Sequence, residues 1–320
     1  MRILHEFIYE RPKSVDEALA LLEKHKAGLA PLAGGTDLVV GMKMRSILQI
    51  TEKAGTQQAK WRAARRVQPI QKPAVVMSLA DLPDMKGVRA KSGRAWIGPN
   101  TTMADLASCG CVPQALAALA DAAAIMGSPL IRNRATVGGN IMNARPAADT
   151  AVAFLALGGT LLLASRSGKR SVDVGSFFTG PGRSVRRDDE LLVGLEAEFR
   201  DGEGSAYFRM GNRRQLEIAL VGASAWLRID PRTGSIAAAR IALGAVGPTP
   251  LPAQAAAAGL VGAKPTAEAF EAAAKTARGE VKPIDDFRGS AAYRLELVET
   301  LVQRALETAA VRALGKGARA

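Results

Sequence analysis

The stretch Leu29-Ala30-Pro31-Leu32-Ala33-Gly34-Gly35-Thr36-Asp37-Leu38 runs a short apolar strand into a glycine turn, and an amphipathic segment from Leu38 to Arg45 follows at once. Just upstream, Ser14-Val15-Asp16-Glu17 has the hydroxyl-to-carboxylate spacing of a capping box. Val15, Ala18, Leu19 and Leu22 then fall on helical spacing, with an end expected near Lys26 and Gly28 as a stop. The order is therefore helix, strand, glycine turn, helix. A second glycine pair lies about a hundred residues downstream, in Thr136-Val137-Gly138-Gly139-Asn140, within the segment Leu130 to Asn143.

Paired glycines accept positive φ and let a ligand approach the main chain without a Cβ in the way. Successive N–H groups in such turns form an anion-binding nest. Thr36, Thr136 and Asn140 add side-chain donors suited to phosphate and ribose oxygens. Two such loops could grip a diphosphate between them. The plainer alternative is turn punctuation, because Gly-Gly pairs are frequent in a chain with 32 glycines and Gly158-Gly159 is another. No Gly-x-Gly-x-x-Gly follows a strand, and no Gly-x-x-x-x-Gly-Lys-Ser/Thr loop occurs, so the common dinucleotide and phosphate-loop motifs are excluded.

Composition narrows the function classes. With 320 residues, 48% of them hydrophobic, the chain can form two domains. No apolar run reaches the ~18 residues of a membrane span, and Met1 to Glu6 does not read as a secretory signal, so a cytoplasmic protein is expected. The net charge is +13, but the cations are scattered, apart from Lys60, Arg62, Arg65 and Arg66 and a basic tail from Arg312 to Arg319. Aromatics at 4% are too few for a base-stacking surface, which argues against nucleic acid. The only cysteines, Cys109 and Cys111, read as reduced thiols and cannot supply four ligands to a cluster or closed zinc site. No metal site is expected on this chain.

Residues from about 50 to 73 read as an exposed basic insertion. Short strands are expected at Ala74–Ser78 and Ala95–Gly98, helices at Gln114–Met126 and Ala148–Leu157, and a strand at Thr160–Ala164. Beyond Ser184–Asp189, strands at Leu191–Phe199, Val221–Ile229 and Ile236–Val246 and helices at Thr266–Lys275 and Ser290–Ala313 are expected. The pattern is α+β in two domains with a boundary near residue 183.

The two glycine blocks, Ala33 to Leu38 and Ile131-Arg132-Asn133-Arg134-Ala135-Thr136-Val137-Gly138-Gly139-Asn140, resemble the double FAD signature of the medium subunits of the xanthine dehydrogenase family of molybdenum hydroxylases, carbon monoxide dehydrogenase among them. The resemblance extends through Tyr9 to Ser14, Ile97-Gly98 with Thr101-Thr102, Asp188-Asp189-Glu190-Leu191-Leu192, and Asp285-Asp286-Phe287-Arg288-Gly289-Ser290 with Tyr293-Arg294.

This resemblance implies a two-lobed FAD-binding domain of the vanillyl-alcohol-oxidase or PCMH type over residues 1–183. A smaller α+β domain with an antiparallel sheet and helices would occupy 184–320. It implies cofactor contacts from Leu32, Ala33, Gly34, Gly35, Thr36, Asp37 and Leu38, and from Thr136, Gly138, Gly139 and Asn140. Asp149 would lie near the ribityl hydroxyls, where the plain alternative is a carboxylate favoured at a helix start. Leu192 would pack near the adenine or flavin end, Arg209 near the isoalloxazine and Ile218 over the ring, with core or surface packing as the alternative for each. The implied role is an electron-transfer subunit with no catalytic acid, base or nucleophile of its own. Electrons would come from 2Fe-2S clusters on a small subunit, supplied by molybdopterin-molybdenum on a large subunit, in a dimer of heterotrimers. They would leave to NAD, quinone, ferredoxin or oxygen. The rival is a self-contained FAD-dependent oxidase or dehydrogenase of the same fold.

Overall fold

A computed structural model describes residues 5–43, 72–213 and 215–315. The basic insertion expected at 50–73 lies almost wholly outside the described residues. The first lobe is built from β1 (Ile8–Glu10), α1 (Val15–His25), β2 (Leu29–Leu32), α2 (residues 38–43) and β3 (Val75–Ser78). The three strands form a parallel sheet in the order β1-β3-β2, with Leu29 opposite Val75 and Leu32 opposite Ser78. The capping box holds α1 as expected. Ser14 Oγ accepts from the Glu17 N–H, and Glu17 Oε2 closes the box on the Lys13 N–H at 2.7 Å. Ala18, Leu19 and Leu22 turn inward and share a core with Val75, Met77, Leu79 and Leu82.

The second lobe comprises β4 (Val88–Lys91), β5 (Arg94–Ile97), α3 (Met103–Ser108), α4 (Ala117–Ile125), α5 (Pro129–Arg132), α6 (Val137–Met142), α7 (Asp149–Leu157), β6 (Thr160–Ser165), β7 (Gly168–Asp173), β8 (Phe178–Gly180), β9 (Arg183–Ser184) and β10 (Leu191–Glu198). Its sheet runs β4-β5-β10-β6-β7 and is antiparallel throughout. The central strand is β10, so the chain leaves this sheet only after Glu198. The boundary expected near residue 183 is thus displaced. Ser184 to Asp189 is a polar surface turn that reads like a linker, yet it merely delivers the chain to the central strand.

That turn is held by one carboxylate. Glu190 is 1% exposed and accepts from Arg170 Nε at 2.6 Å, from the Arg187 N–H at 2.7 Å and from Arg187 Nε at 3.0 Å. Burial alone would raise its pKa, but the two arginines outweigh burial and lower it from 4.5 to about 2. A depressed carboxyl pKa contributes stability that is present above about pH 4.5 and lost as pH falls through about 2. Glu190→Gln is expected to cost about 1–2 kcal/mol at neutral pH, because the partly solvated arginines screen the interaction. In urea unfolding the gap from wild type should close between about pH 4.5 and 2; a gap independent of pH would refute the assignment.

The last unit contains β11 (Glu203–Met210), β12 (Val221–Ile229), β13 (Ile236–Gly244), β14 (Leu251–Pro252), α8 (Gln254–Gly259), α9 (Ala267–Gly279) and α10 (Ala291–Ala313). Its four strands form an antiparallel sheet in sequence order. The expected alternation in β12 is real: Val221, Ala223, Ala225, Leu227 and Ile229 face the core made with α9 and α10. The opposite face is buried too. Trp226, Tyr207 and Ala242 join the core of the second lobe, with Leu119, Val152 and Phe154. This sheet is therefore sandwiched between its own helices and those of the preceding lobe.

Cys109 and Cys111 depart from the expected free thiols. The turn after α3 brings their Cα atoms to 5.2 Å, inside the bridging range, and the sulfurs are joined. Among the described residues no helix is long and apolar enough to cross a membrane.

Candidate functional site

The first glycine loop leaves the parallel sheet at the C-terminal end of β2, the side on which open sheets bearing parallel strands receive ligands. The Leu79 N–H pins Leu32 O at 2.9 Å, and Gly35 turns the chain with φ +76°. Val39 N–H to Gly35 O and Gly41 N–H to Asp37 O then start α2. Between these fixed points the N–H groups of Gly34, Gly35, Thr36 and Asp37 donate to no acceptor among the described residues. Unpaired donors in series are what an anion nest needs. Asn143 and Arg145 lie beside the Asp37 carboxylate.

The second glycine pair is built differently. Gly138 and Gly139 lie inside α6, and neither has positive φ. Their N–H groups are already used: Val137 N–H binds Thr101 O, Gly138 N–H binds Pro99 O at 2.8 Å, and Gly139 N–H binds the Thr136 hydroxyl at 3.0 Å. Asn140 N–H binds Thr136 O. The nest expected here is therefore absent; Thr136 spends its hydroxyl as a helix cap. The block Ile97-Gly98 with Thr101-Thr102 anchors this segment, since Thr102 bridges Thr136 and Met103 N–H binds Ala135 O.

The missing side chains serve contact between segments. A Cβ on Gly138 would lie 2.6 Å from Pro99 Cβ. A Cβ on Gly34 would overlap the Arg134 carbonyl and crowd Ala135 Cα, and Ala33 sits close to Gly139. The two glycine pairs are thus brought together, packed on each other across the lobes. Leu38 begins α2 beside them, half-buried.

Asn140, half-buried, projects from α6. Its Oδ1 accepts from Thr150 N–H at 3.1 Å and from Thr150 Oγ1 at 2.6 Å. Among the described residues its Nδ2 meets only the weak acceptor Met126 Sδ, at 3.7 Å. Asp149 and Arg209 are brought together with each other. The Asp149 carboxylate is 3% exposed and accepts from Tyr207 Oη at 2.8 Å and from Arg209 Nη1 at 3.2 Å. Burial pushes its pKa up, opposed by Arg209 and Tyr207. Burial and Asp149 push the Tyr207 phenol well above its usual value.

Arg209 also donates to Ile125 O at 2.7 Å and to Glu217 O. It thereby holds the loop that presents Ile218, 54% exposed, and Leu216, 59% exposed. Leu192 lies apart, 3% exposed in the core of the second lobe. Sequence reading missed Tyr207, Thr150 and Leu216. Tyr207 and Arg209 share one face of β11 by the two-residue period of a strand, the signal that could have linked them.

Two family models match in tandem: the FAD binding domain in molybdopterin dehydrogenase over residues 61–196, and the CO dehydrogenase flavoprotein C-terminal domain over 206–309. The chain is 31% identical to the carbon monoxide dehydrogenase medium chain of Hydrogenophaga pseudoflava, covering 95% of this chain and 96% of that one. The chain belongs to the FAD-binding medium subunits of the molybdenum hydroxylase family. Glyceraldehyde dehydrogenase medium chain of Sulfolobus acidocaldarius is 30% identical over 95% of this medium subunit and 99% of its own length. Solved carbon monoxide dehydrogenase from H. pseudoflava superposes with a TM-score of 0.84 at 32% identity, covering 97% of this chain and 99% of that chain. Quinoline 2-oxidoreductase from Pseudomonas putida 86 superposes at 0.81 and 26%, covering 98% and 99%. The medium subunit is thus an FAD-binding oxidoreductase subunit with the two-domain fold of this family. Its match to the C-terminal domain model starts after β10, in step with the change of sheet.

Proposed function

We propose that this medium subunit relays electrons from the 2Fe-2S clusters of a small partner subunit to an external acceptor such as NAD, a quinone, ferredoxin or oxygen. The electrons originate at a molybdopterin-containing large subunit, and the assembly is a dimer of heterotrimers. Bound FAD supplies the capacity to accept electrons singly and release them singly or in pairs. The chain's own residues bind and orient it. The observation that carries this reading is the row of N–H donors from Gly34 to Asp37 that meet no acceptor among the described residues, a match for an anionic diphosphate.

In this reading Leu32 to Leu38 wraps the diphosphate. Gly138 and Gly139 let the second lobe close on that loop, Thr136 fixes their helix, and Asn140 adds a side-chain donor. Asp149 lies toward the ribityl hydroxyls and steadies Arg209 beside the ring, Ile218 covers the ring, and Leu192 contributes only through the packing of the second-lobe core. Exposed Leu130, 80% open, and Phe287, 81% open, are consistent with a surface completed by partner subunits. The complex purified from its native host should be yellow and contain all three subunits. The isolated chain should bind FAD but turn over no substrate. Turnover by the isolated chain would establish a self-contained oxidase instead.

A further inference from the structure

Thr150 makes two hydrogen bonds to one atom, and their chemistry fixes which end of the Asn140 carboxamide is left without a strong partner. The Asn140 side chain offers one acceptor, Oδ1, and one donor group, Nδ2. Thr150 meets Oδ1 with its main-chain N–H at 3.1 Å and its hydroxyl at 2.6 Å. A main-chain N–H can only donate. Turning the amide over would set Nδ2 against that N–H, donor against donor. The N–H is itself in need of a partner: it belongs to the first turn of α7, whose N-cap, Ala148, provides no side-chain acceptor. Thr150 is fully buried, so water does not compete for these bonds. The outcome is an Nδ2 whose one contact among the described residues is Met126 Sδ, leaving its donor capacity unspent.

We propose that Thr150 is a positioning residue for FAD binding: it locks the Asn140 carboxamide with Nδ2 presented to an oxygen of the bound cofactor. This rests on the proposed contact between Asn140 and FAD. The alternative is that the pair only caps α7, and the two roles separate by substitution. Asn140→Asp keeps an acceptor for Thr150 but replaces the outward donor with a carboxylate oxygen, which repels an anionic cofactor. A pure cap would tolerate it, since a carboxylate is favourable at a helix start.

The test uses the full chain, with FAD affinity read by flavin fluorescence titration and fold integrity by thermal melting of the FAD-free protein. Asn140→Asp is expected to lose FAD affinity while the apo melting temperature holds. Thr150→Val should weaken FAD binding about tenfold, the scale of one lost hydrogen bond, and Thr150→Ser should restore it. In an Asn140→Ala background, Thr150→Val should have no further effect on affinity. Full FAD affinity in Thr150→Val, or an equal loss with Asn140 already removed, overturns the positioning role while leaving the Asn140 contact standing. Unchanged affinity in both Asn140 variants overturns the contact itself.

Discussion

Gly34→Ala is expected to release the flavin and destabilise the chain together. Its added methyl points at the Arg134 carbonyl and the Ala135 Cα, both main-chain atoms of a segment tied to Met103. Neither can rotate away as a side chain would. Overpacking of this kind costs about 3 kcal/mol at the upper end of its range, and the strain lies between the two glycine blocks. Relief requires the first loop to move off the second lobe, taking the Gly34 to Asp37 donors with it. The measurements are flavin content after gel filtration and the urea midpoint of the apo chain. Retention of stoichiometric FAD by this variant would mean that contact between the loops does not shape the cofactor site.

The second large effect is expected at Asp149→Ala. Its carboxylate compensates the buried Arg209 guanidinium and the buried Tyr207 hydroxyl, which both reach it from β11. Removing one partner of a buried ion pair typically costs 3–5 kcal/mol, roughly, because the other charge stays buried and unpaired. The Arg209 side chain is largely withdrawn from water, being 9% exposed. The double variant Asp149→Ala/Arg209→Met removes the stranded charge and should recover a large part of that loss. Chemical unfolding of the three proteins decides the matter. If the double variant is as unstable as Asp149→Ala alone, the damage comes from lost packing at the start of α7 instead of an unpaired charge.

Local signals in the sequence carried far. The capping box at Ser14, the strand entering Gly34 and the alternation in β12 each follow from neighbours within one turn or one strand, and each appears as read. What was not legible depends on atoms distant in the chain. The second glycine pair has the composition of a loop but lies in a helix, because Thr136 caps it and Pro99 and Thr101 take its first N–H groups. Asp149 and Arg209 were each read against a ligand, whereas in the fold they face one another, a pairing set by how β11 crosses α7. The boundary near residue 183 failed for a similar reason: strand order within a sheet leaves no mark on the sequence of the strand itself.

Helix α7 is gripped at both ends by the last sheet, through Arg209 at Asp149 and through Arg240, which donates to Ala156 O at 2.7 Å and Leu157 O at 2.8 Å while stacking on Trp226. A helix so fastened, with all nine of its residues buried, resists hinging between the two sheets that it joins. A cofactor seated beside so firmly held an element should exchange slowly.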